Sequence, residues 1–296
     1  MPELPEVETV RRGLEPVMAG AVFSNVVLRR ANLRYPFPDN FVKRLEGRKI
    51  MSVGRRAKYL TLDLDSEELL IMHLGMSGSF RTEHMEGENI PGSFYHPRTT
   101  EQKHDHVVFE ISIDNRKSVI TYNDPRRFGF MDLVSLQDKD TCSHFANMGI
   151  EPTGNSLNGE MLSRLLAGKS TPLKAALLDQ RLIAGLGNIY VCEALWRSGL
   201  SPKRKAGSIA RKDGKATKRT ELLASNIRQV ISEAIEAGGS SLRDHKNTDG
   251  SLGYFQHRFN VYDRENSACN TAGCDGTVIR IVQSGRSTFY CPTCQR

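Results

Sequence analysis

The sequence predicts an α+β chain of several domains: an N-terminal helix on a two-sheet antiparallel β-sandwich, a helical domain, and a small C-terminal β-hairpin held by metal. Three observations carry this. Before Gly20, apolar residues recur at helical spacing as Val7, Val10, Leu14 and Val17. Farther on they alternate with polar ones, Leu60, Leu62 and Leu64 against Thr61, Asp63 and Asp65. Four of the six cysteines crowd into residues 269–294.

The first helix begins at MPELPEVETV, where Pro5 suits a first-turn position. Pro2 and Glu3 admit two readings. One is a rigid entry with a capping acid. The other is chemical: methionine before a small residue is normally removed, and the new terminus is then a secondary amine beside a carboxyl group. Leu69–Leu74 is an apolar run, and Val107, Phe109, Ile111 and Ile113 alternate again before a turn at Asp114-Asn115, so the sandwich is expected to fill residues 1–134. Residues 83–103 read as a loop. A linker is expected over 135–154, followed by a helical domain over 155–260 with helices at 159–166, 173–182, 189–198 and 217–236. Residues 261–296 form the hairpin domain. No repeat suggests a solenoid or propeller.

With 296 residues and 39% hydrophobic content, the chain can build two or three ordinary cores. Lys and Arg outnumber Asp and Glu by 41 to 34, which favours a polyanionic partner. No apolar run approaches the roughly 20 residues that span a bilayer, and the acidic N-terminus is unlike a signal peptide, so a cytoplasmic protein without a membrane partner is expected. Disulfides are disfavoured there. Cys269 and Cys274, then Cys291 and Cys294, form two close pairs joined by hairpin arms, which is the ligand set of a closed, structural zinc site, although spacing alone also admits iron. Cys142 and Cys192 read as small buried residues.

Other stretches carry weaker signals. Gly185-Leu186-Gly187-Asn188 is either a plain turn between helices or a phosphate-binding helix start with Asn188 as its cap and Lys174 nearby. Asn123-Asp124-Pro125-Arg126-Arg127-Phe128-Gly129 is either a hairpin with solvated arginines or an Arg-Phe wedge of the kind that enters a base stack. Met76 either joins that wedge or lies in a core. Lys58, in phase with Leu60, is expected to point inward. The basic stretch 201–219 reads first as a solvated connector and helix start.

Together MPELPEVE, RRAKYL at 55–60, HLGMSG at 73–78, HDHV at 104–107, NDPRRFG at 123–129, GLGNIY at 185–190 and the cysteine hairpin resemble the bacterial formamidopyrimidine-DNA glycosylases over the whole chain, in order. The resemblance implies a helix-two-turn-helix fold for the middle domain, damaged double-stranded DNA as partner, and a likeness in function: excision of 8-oxoguanine and formamidopyrimidines followed by strand cleavage through β,δ-elimination. It implies Pro2 as nucleophile, Glu3 as the acid of sugar-ring opening, Lys58 as the acid of β-elimination and Arg286 as that of δ-elimination. An arginine is a poor proton donor, so Arg286 is better suited to clamping a phosphate. Glu6 is implied near the lesion, and Met76, Arg126 and Phe128 in the gap left by the extruded nucleotide. His104, Arg127, Ser170, Lys174 and Asn188 are implied at the DNA backbone, and residues 238–250 as a loop over the extruded base.

Two departures stand out. Four residues, where two are commoner, separate the first cysteine pair, and Ser170 replaces a basic contact that Lys169 is placed to supply. The resemblance also implies a monomer. Two other readings are an endonuclease VIII-type glycosylase for oxidised pyrimidines and a lesion-binding protein without catalysis; Leu4 and the Met76, Arg126 and Phe128 set oppose the first, and the joint presence of Pro2, Glu3 and Lys58 opposes the second.

Overall fold

A computed structural model describes residues 2–84, 102–114, 116–240 and 253–296. The chain forms two compact units, Met1–Ala146 with Gly238–Tyr254, and Asn147–Ala237 with Phe255–Arg296.

In the first unit, helix α1 (Leu4–Met18) carries Pro5 in its opening turn and buries Val7, Val10, Leu14 and Met18, the stripe its periodicity demands. There follow β1 (Val22–Leu28), a one-turn α2 (Phe41–Leu45), β2 (Ile50–Arg56), β3 (Tyr59–Leu64), β4 (Glu68–His73), β5 (Ser79–His84), β6 (Asp105–Ile113), β7 (Arg116–Asn123) and β8 (Phe130–Ser135). They build two antiparallel sheets of order β1-β6-β7-β5 and β2-β3-β4-β8. Phe23, Phe80, Phe109 and Ile120 from one sheet meet Leu60, Leu62, Leu70, Met72 and Leu133 from the other in a single core, which α1 also joins. Strand β4 reads as a run rather than an alternation because Leu69 and Ile71 are buried as fully as Leu70 and Met72.

Two connections position the site. The chain passes from β4 to β5 through residues 74–78 and from β7 to β8 through 124–129, changing sheet each time. His73 pairs with Phe130 and Ser79 with Asn123, so these crossovers lie side by side at one end of the sandwich.

In the second unit α3 (Gly159–Leu166), α4 (Leu173–Leu178), α5 (Asn188–Arg197) and α6 (Lys218–Glu236) pack α3 and α5 against α6 and α4 against α5. An Arg197–Glu233 ion pair of 2.7 Å ties α5 to α6. Thr217 caps α6 through the nitrogen of Thr220. Helix α4 ends four residues before the expected 182, because the Asp179 carboxylate accepts from the backbone and guanidinium of Arg181 and turns the chain. Strands β9 (Ile279–Gln283) and β10 (Arg286–Tyr290) form the hairpin, whose Val278 and Phe289 pack with Cys192 of α5 and with Val261. The fully buried Glu193 accepts the backbone N–H groups of Asn260, Val261 and Tyr262, fastening that segment to α5. Cys192 is buried as expected; Cys142 is only half-buried, its thiol on the Lys139 carbonyl. Among the described residues no helix is long and apolar enough to cross a membrane.

Candidate active site, crossover turns and metal centre

Pro2 is buried, and the first turn of α1 is closed by two acids that cap it reciprocally. The Glu3 side chain receives the backbone N–H of Glu6, and the Glu6 carboxylate receives that of Glu3 at 2.9 Å. Glu6 also accepts from the nitrogen and hydroxyl of Ser240 at 2.8 and 3.0 Å. Both acids are nearly inaccessible, Glu3 at 3% and Glu6 at 2%. The sequence marks Pro2, Glu3 and Glu6, but the partnership with Ser240 spans 234 positions and carries no local signal. Gly238, Gly239 and Ser240 of the expected covering loop are described, and the left-handed φ of +79° at Gly239 accommodates the approach to Glu6; its residues 241–250 lie outside the described residues, as does Met1.

Lys58 stands in the β2–β3 turn behind Ala57, whose φ is +52°. It is buried, as its phase with Leu60 predicts. Its charge acts on His73: burial above all, then Lys58, Arg34 and His144, lowers the His73 pKa to about 4. His73 is therefore neutral at physiological pH, and its Nδ1 accepts the Gly75 N–H at 3.0 Å.

The crossover turns are joined by Asp124, which has no accessible surface. Its Oδ1 accepts from the Ser77 hydroxyl at 2.6 Å and the Arg126 N–H at 3.3 Å. Its Oδ2 accepts from the Gly129 N–H at 2.9 Å and the Tyr122 hydroxyl at 3.2 Å. Its backbone carbonyl meets His106 Nε2 at 2.9 Å and its N–H donates to the His104 carbonyl at 3.0 Å. Burial, with Asp124 beside it, raises the Tyr122 pKa well above the usual phenol range, so Tyr122 remains a donor; burial also lowers the His106 pKa. On this frame Met76 and Phe128 stand 38% and 42% exposed, and the Arg126 guanidinium lies 4.9 Å from the Phe128 ring centre. Arg127 is exposed at φ +53°, and His104 is half-buried. Asp124, Ser77 and Tyr122 went unmarked in the sequence; a small hydroxyl in HLGMSG and an Asp before Pro signal only turns.

In the second unit Arg286 is exposed at the start of β10. Asn188 is not the cap of α5; Gly187 is. The Asn188 amide instead donates to the Ser287 carbonyl at 3.0 Å. Lys174, expected at the DNA backbone, is 1% exposed, and its ammonium donates to the Ser287 carbonyl at 2.9 Å and the Thr288 hydroxyl at 2.7 Å. Its contact is therefore with β10, next to Arg286, because a buried ammonium must be satisfied by the protein around it. Ser170 is exposed beside the half-buried Lys169.

The four cysteine sulfurs lie within 4.8 Å of one another, with Cys269–Cys294 and Cys274–Cys291 each at 3.7 Å. Tetrahedral zinc with bonds of about 2.3 Å needs sulfur–sulfur edges of about 3.8 Å, so the four residues fit zinc with no open position. The longer first knuckle brings the Thr271 hydroxyl to 3.4 Å from Cys269 and 3.5 Å from Cys294.

Comparison with known proteins matches three stretches of the chain in order. Residues 1–131 match the formamidopyrimidine-DNA glycosylase N-terminal domain, 148–246 the H2TH domain of the same enzymes, and 269–296 the zinc finger found in FPG and IleRS. The fold and sites thus define a DNA-repair glycosylase with one structural zinc. The chain is 62% identical over 296 residues to the formamidopyrimidine-DNA glycosylase of Beijerinckia indica and 60% identical over 297 to that of Chelativorans sp., covering all of each. It is similar to the Lactococcus lactis Fpg in complex with DNA containing an abasic site, at 30% identity and TM-score 0.82 over both whole chains. It also resembles the Thermus thermophilus MutM (Fpg) protein, at 37% identity and TM-score 0.79 over 99% of this chain and 98% of that one. The chain belongs to the formamidopyrimidine-DNA glycosylase family.

Proposed function

We propose that the chain removes 8-oxoguanine and formamidopyrimidines from duplex DNA and cuts the resulting abasic site through a Schiff base on Pro2, acting as a monomer on the nucleoid in the cytoplasm. The observation that carries the reading is the buried, doubly capped N-terminus, which holds Pro2 beside two acids. Once Met1 is removed, Pro2 presents a secondary amine. An α-amino group titrates near about 7.7–8.0, so a neutral, nucleophilic fraction exists at working pH without the large shift a lysine needs.

The amine attacks C1′ as the glycosidic bond breaks and the base leaves with a proton. Glu3 protonates O4′ as the C1′–O4′ bond opens, leaving an iminium between Pro2 and C1′. That cation accepts the electrons of the C2′–H bond as the proton passes to solvent, and the resulting enamine expels the 3′ phosphate; loss of the C4′ proton to solvent then expels the 5′ phosphate through the same conjugated iminium. Lys58 serves the first elimination. Arg286 neutralises the phosphate in the second, while Glu6 orients the first turn of α1 and zinc keeps the hairpin folded. Met76, Arg126 and Phe128 fill the gap, with Arg126 facing the orphaned cytosine, and His104, Arg127, Ser170 and Asn188 hold the backbone.

The test is borohydride trapping on a duplex with one 8-oxoguanine opposite cytosine, followed by peptide mass. An adduct on Pro2 is expected. An adduct formed only with oxidised-pyrimidine duplex favours endonuclease VIII chemistry, and binding with no adduct favours a catalytically silent protein; either result overturns the reading.

A further inference from the structure

Asp124 is a buried carboxylate for which the chemistry at Pro2 has no use. Among the described residues it forms no ion pair; four neutral donors satisfy it instead, at 2.6, 3.3, 2.9 and 3.2 Å. These donors come from both crossovers: Ser77 belongs to the turn bearing Met76, whereas Arg126 and Gly129 belong to the turn bearing Phe128. Tyr122 supplies the fourth from the end of β7. Burying a carboxylate without a counter-charge is costly, and the four donors offset that cost; an apolar residue in its place would leave all four unpaired. What the carboxylate adds is direction, because Oδ1 accepts one donor from each turn, Ser77 and Arg126, while Oδ2 accepts from Gly129, just past Phe128, and from Tyr122. The backbones touch as well: a β-carbon added to Gly75 would lie 2.7 Å from the Phe128 carbonyl oxygen, and closer still to the Phe128 carbonyl carbon and the Gly129 nitrogen.

We infer that Asp124 is a positioning residue that locks the Met76 turn and the Arg126–Phe128 turn into one rigid wedge, so that the three side chains enter the gap together. The inference rests on the reading of Met76, Arg126 and Phe128 as gap-filling groups. Asparagine conserves volume but offers one acceptor oxygen, and its amide N–H groups then face at least one of the same donors. Asp124→Asn therefore releases one turn from the other. Ser77→Ala removes the hydroxyl that donates to Asp124 and accepts the Arg126 N–H at 3.2 Å, and leaves three donors on the carboxylate in place.

The experiment compares two substrates in single turnover. One is duplex DNA with 8-oxoguanine opposite cytosine, where a gap must be filled; the other is a single-stranded oligonucleotide carrying a preformed abasic site, trapped with borohydride, where no gap exists. A 2-aminopurine beside the lesion reports unstacking. With Asp124→Asn, the excision rate constant on the duplex is expected to fall at least tenfold and the 2-aminopurine rise to vanish, while single-strand trapping stays within twofold of the unsubstituted protein. Ser77→Ala is expected to lie between the two. Unchanged duplex excision in both variants overturns the inference, as does equal loss on both substrates, which marks Asp124 as merely structural. If Asp124→Asn does not fold, Ser77→Ala decides by the same two readouts. Failure of the unsubstituted protein to be trapped on the abasic strand is a separate result, and it overturns the Schiff-base reading instead.

Discussion

Gly75→Ala tests whether the two crossover turns approach as closely as the structure places them. Gly75 has φ +63°, and its added β-carbon would meet backbone atoms of Phe128 and Gly129, which cannot swing aside as the end of a side chain can. The left-handed conformation costs a non-glycine residue about 1–2 kcal/mol. Relieving the overlap requires the turns to part by a substantial fraction of an ångström, an overpacking cost of about 1–3 kcal/mol. The sum is about 2–5 kcal/mol. Gly47→Ala provides the reference, since Gly47 has φ +77° with nothing within 4 Å of its added β-carbon, so only the conformational cost of about 1–2 kcal/mol applies. The entropy lost by the unfolded chain is similar in both variants and cancels. Hydrogen exchange of peptides covering β4–β5 and β7–β8, followed across a urea series, measures each loss within the first unit. Equal destabilisation by the two substitutions refutes the close approach, and with it the argument that the turns move as one body.

Four further outcomes are expected. Lys174→Met should loosen β10, at about 1.5–3 kcal/mol for each charged hydrogen bond lost, and weaken DNA binding without changing the slope of log K against log salt; a slope reduced by about 1 shows instead that the ammonium reaches a phosphate. His73 has its pKa lowered from 6.5 to about 4, so the unfolded chain takes up its proton first as pH falls. The stabilisation is therefore fully present above pH 6.5 and lost as pH drops through 4, about 2–3 kcal/mol that His73→Gln removes from the acid limb of a urea-stability profile; coincident profiles for the two proteins refute the assignment. Stripping zinc with a chelator should unfold the hairpin around Val278, Phe289 and Cys291 and change the emission of Trp196, which packs against that core, while exchange in the sandwich is unaffected. Unchanged emission and hairpin protection would show that metal does not hold this core. Ser240→Ala removes one of the two hydrogen bonds from Ser240 to Glu6 and should cost about 1 kcal/mol of local stability, read as faster exchange at residues 238–240 with α1 unaltered.

Legibility followed sequence distance. The stripe of α1, the alternation of Leu60, Leu62 and Leu64, and the cysteine spacings repeat over two to four residues, and each was readable because one periodic element or one tight knuckle accounts for it. Pro2, Glu3 and Glu6 lie within five consecutive positions where the chain enters α1. Boundaries were less legible where side chains intervened, as at Asp179, which ends α4 early, and at Gly187, which takes the capping place expected of Asn188. Lys174 shows the limit plainly: a lysine in a basic chain invites a phosphate, but the partners that bury it are 113 and 114 positions away.

The sequence by itself therefore showed the stripe of α1, the alternation of Leu60, Leu62 and Leu64 and the zinc ligands, and its motifs carried the family resemblance. The stripe, the alternation and the cysteine pairs follow from short-range spacing, a property of neighbouring residues, whereas the family was read from the resemblance of whole motifs. The tertiary structure decided which groups face solvent and which hold others in place: Lys174 inside, Arg286 outside, Glu6 on Ser240, and Asp124 between two turns that the chain reaches almost fifty residues apart. The reason is that a buried polar group must find its partners wherever the folded backbone brings them, and that choice is made by the pairing of strands and the packing of helices rather than by any local pattern.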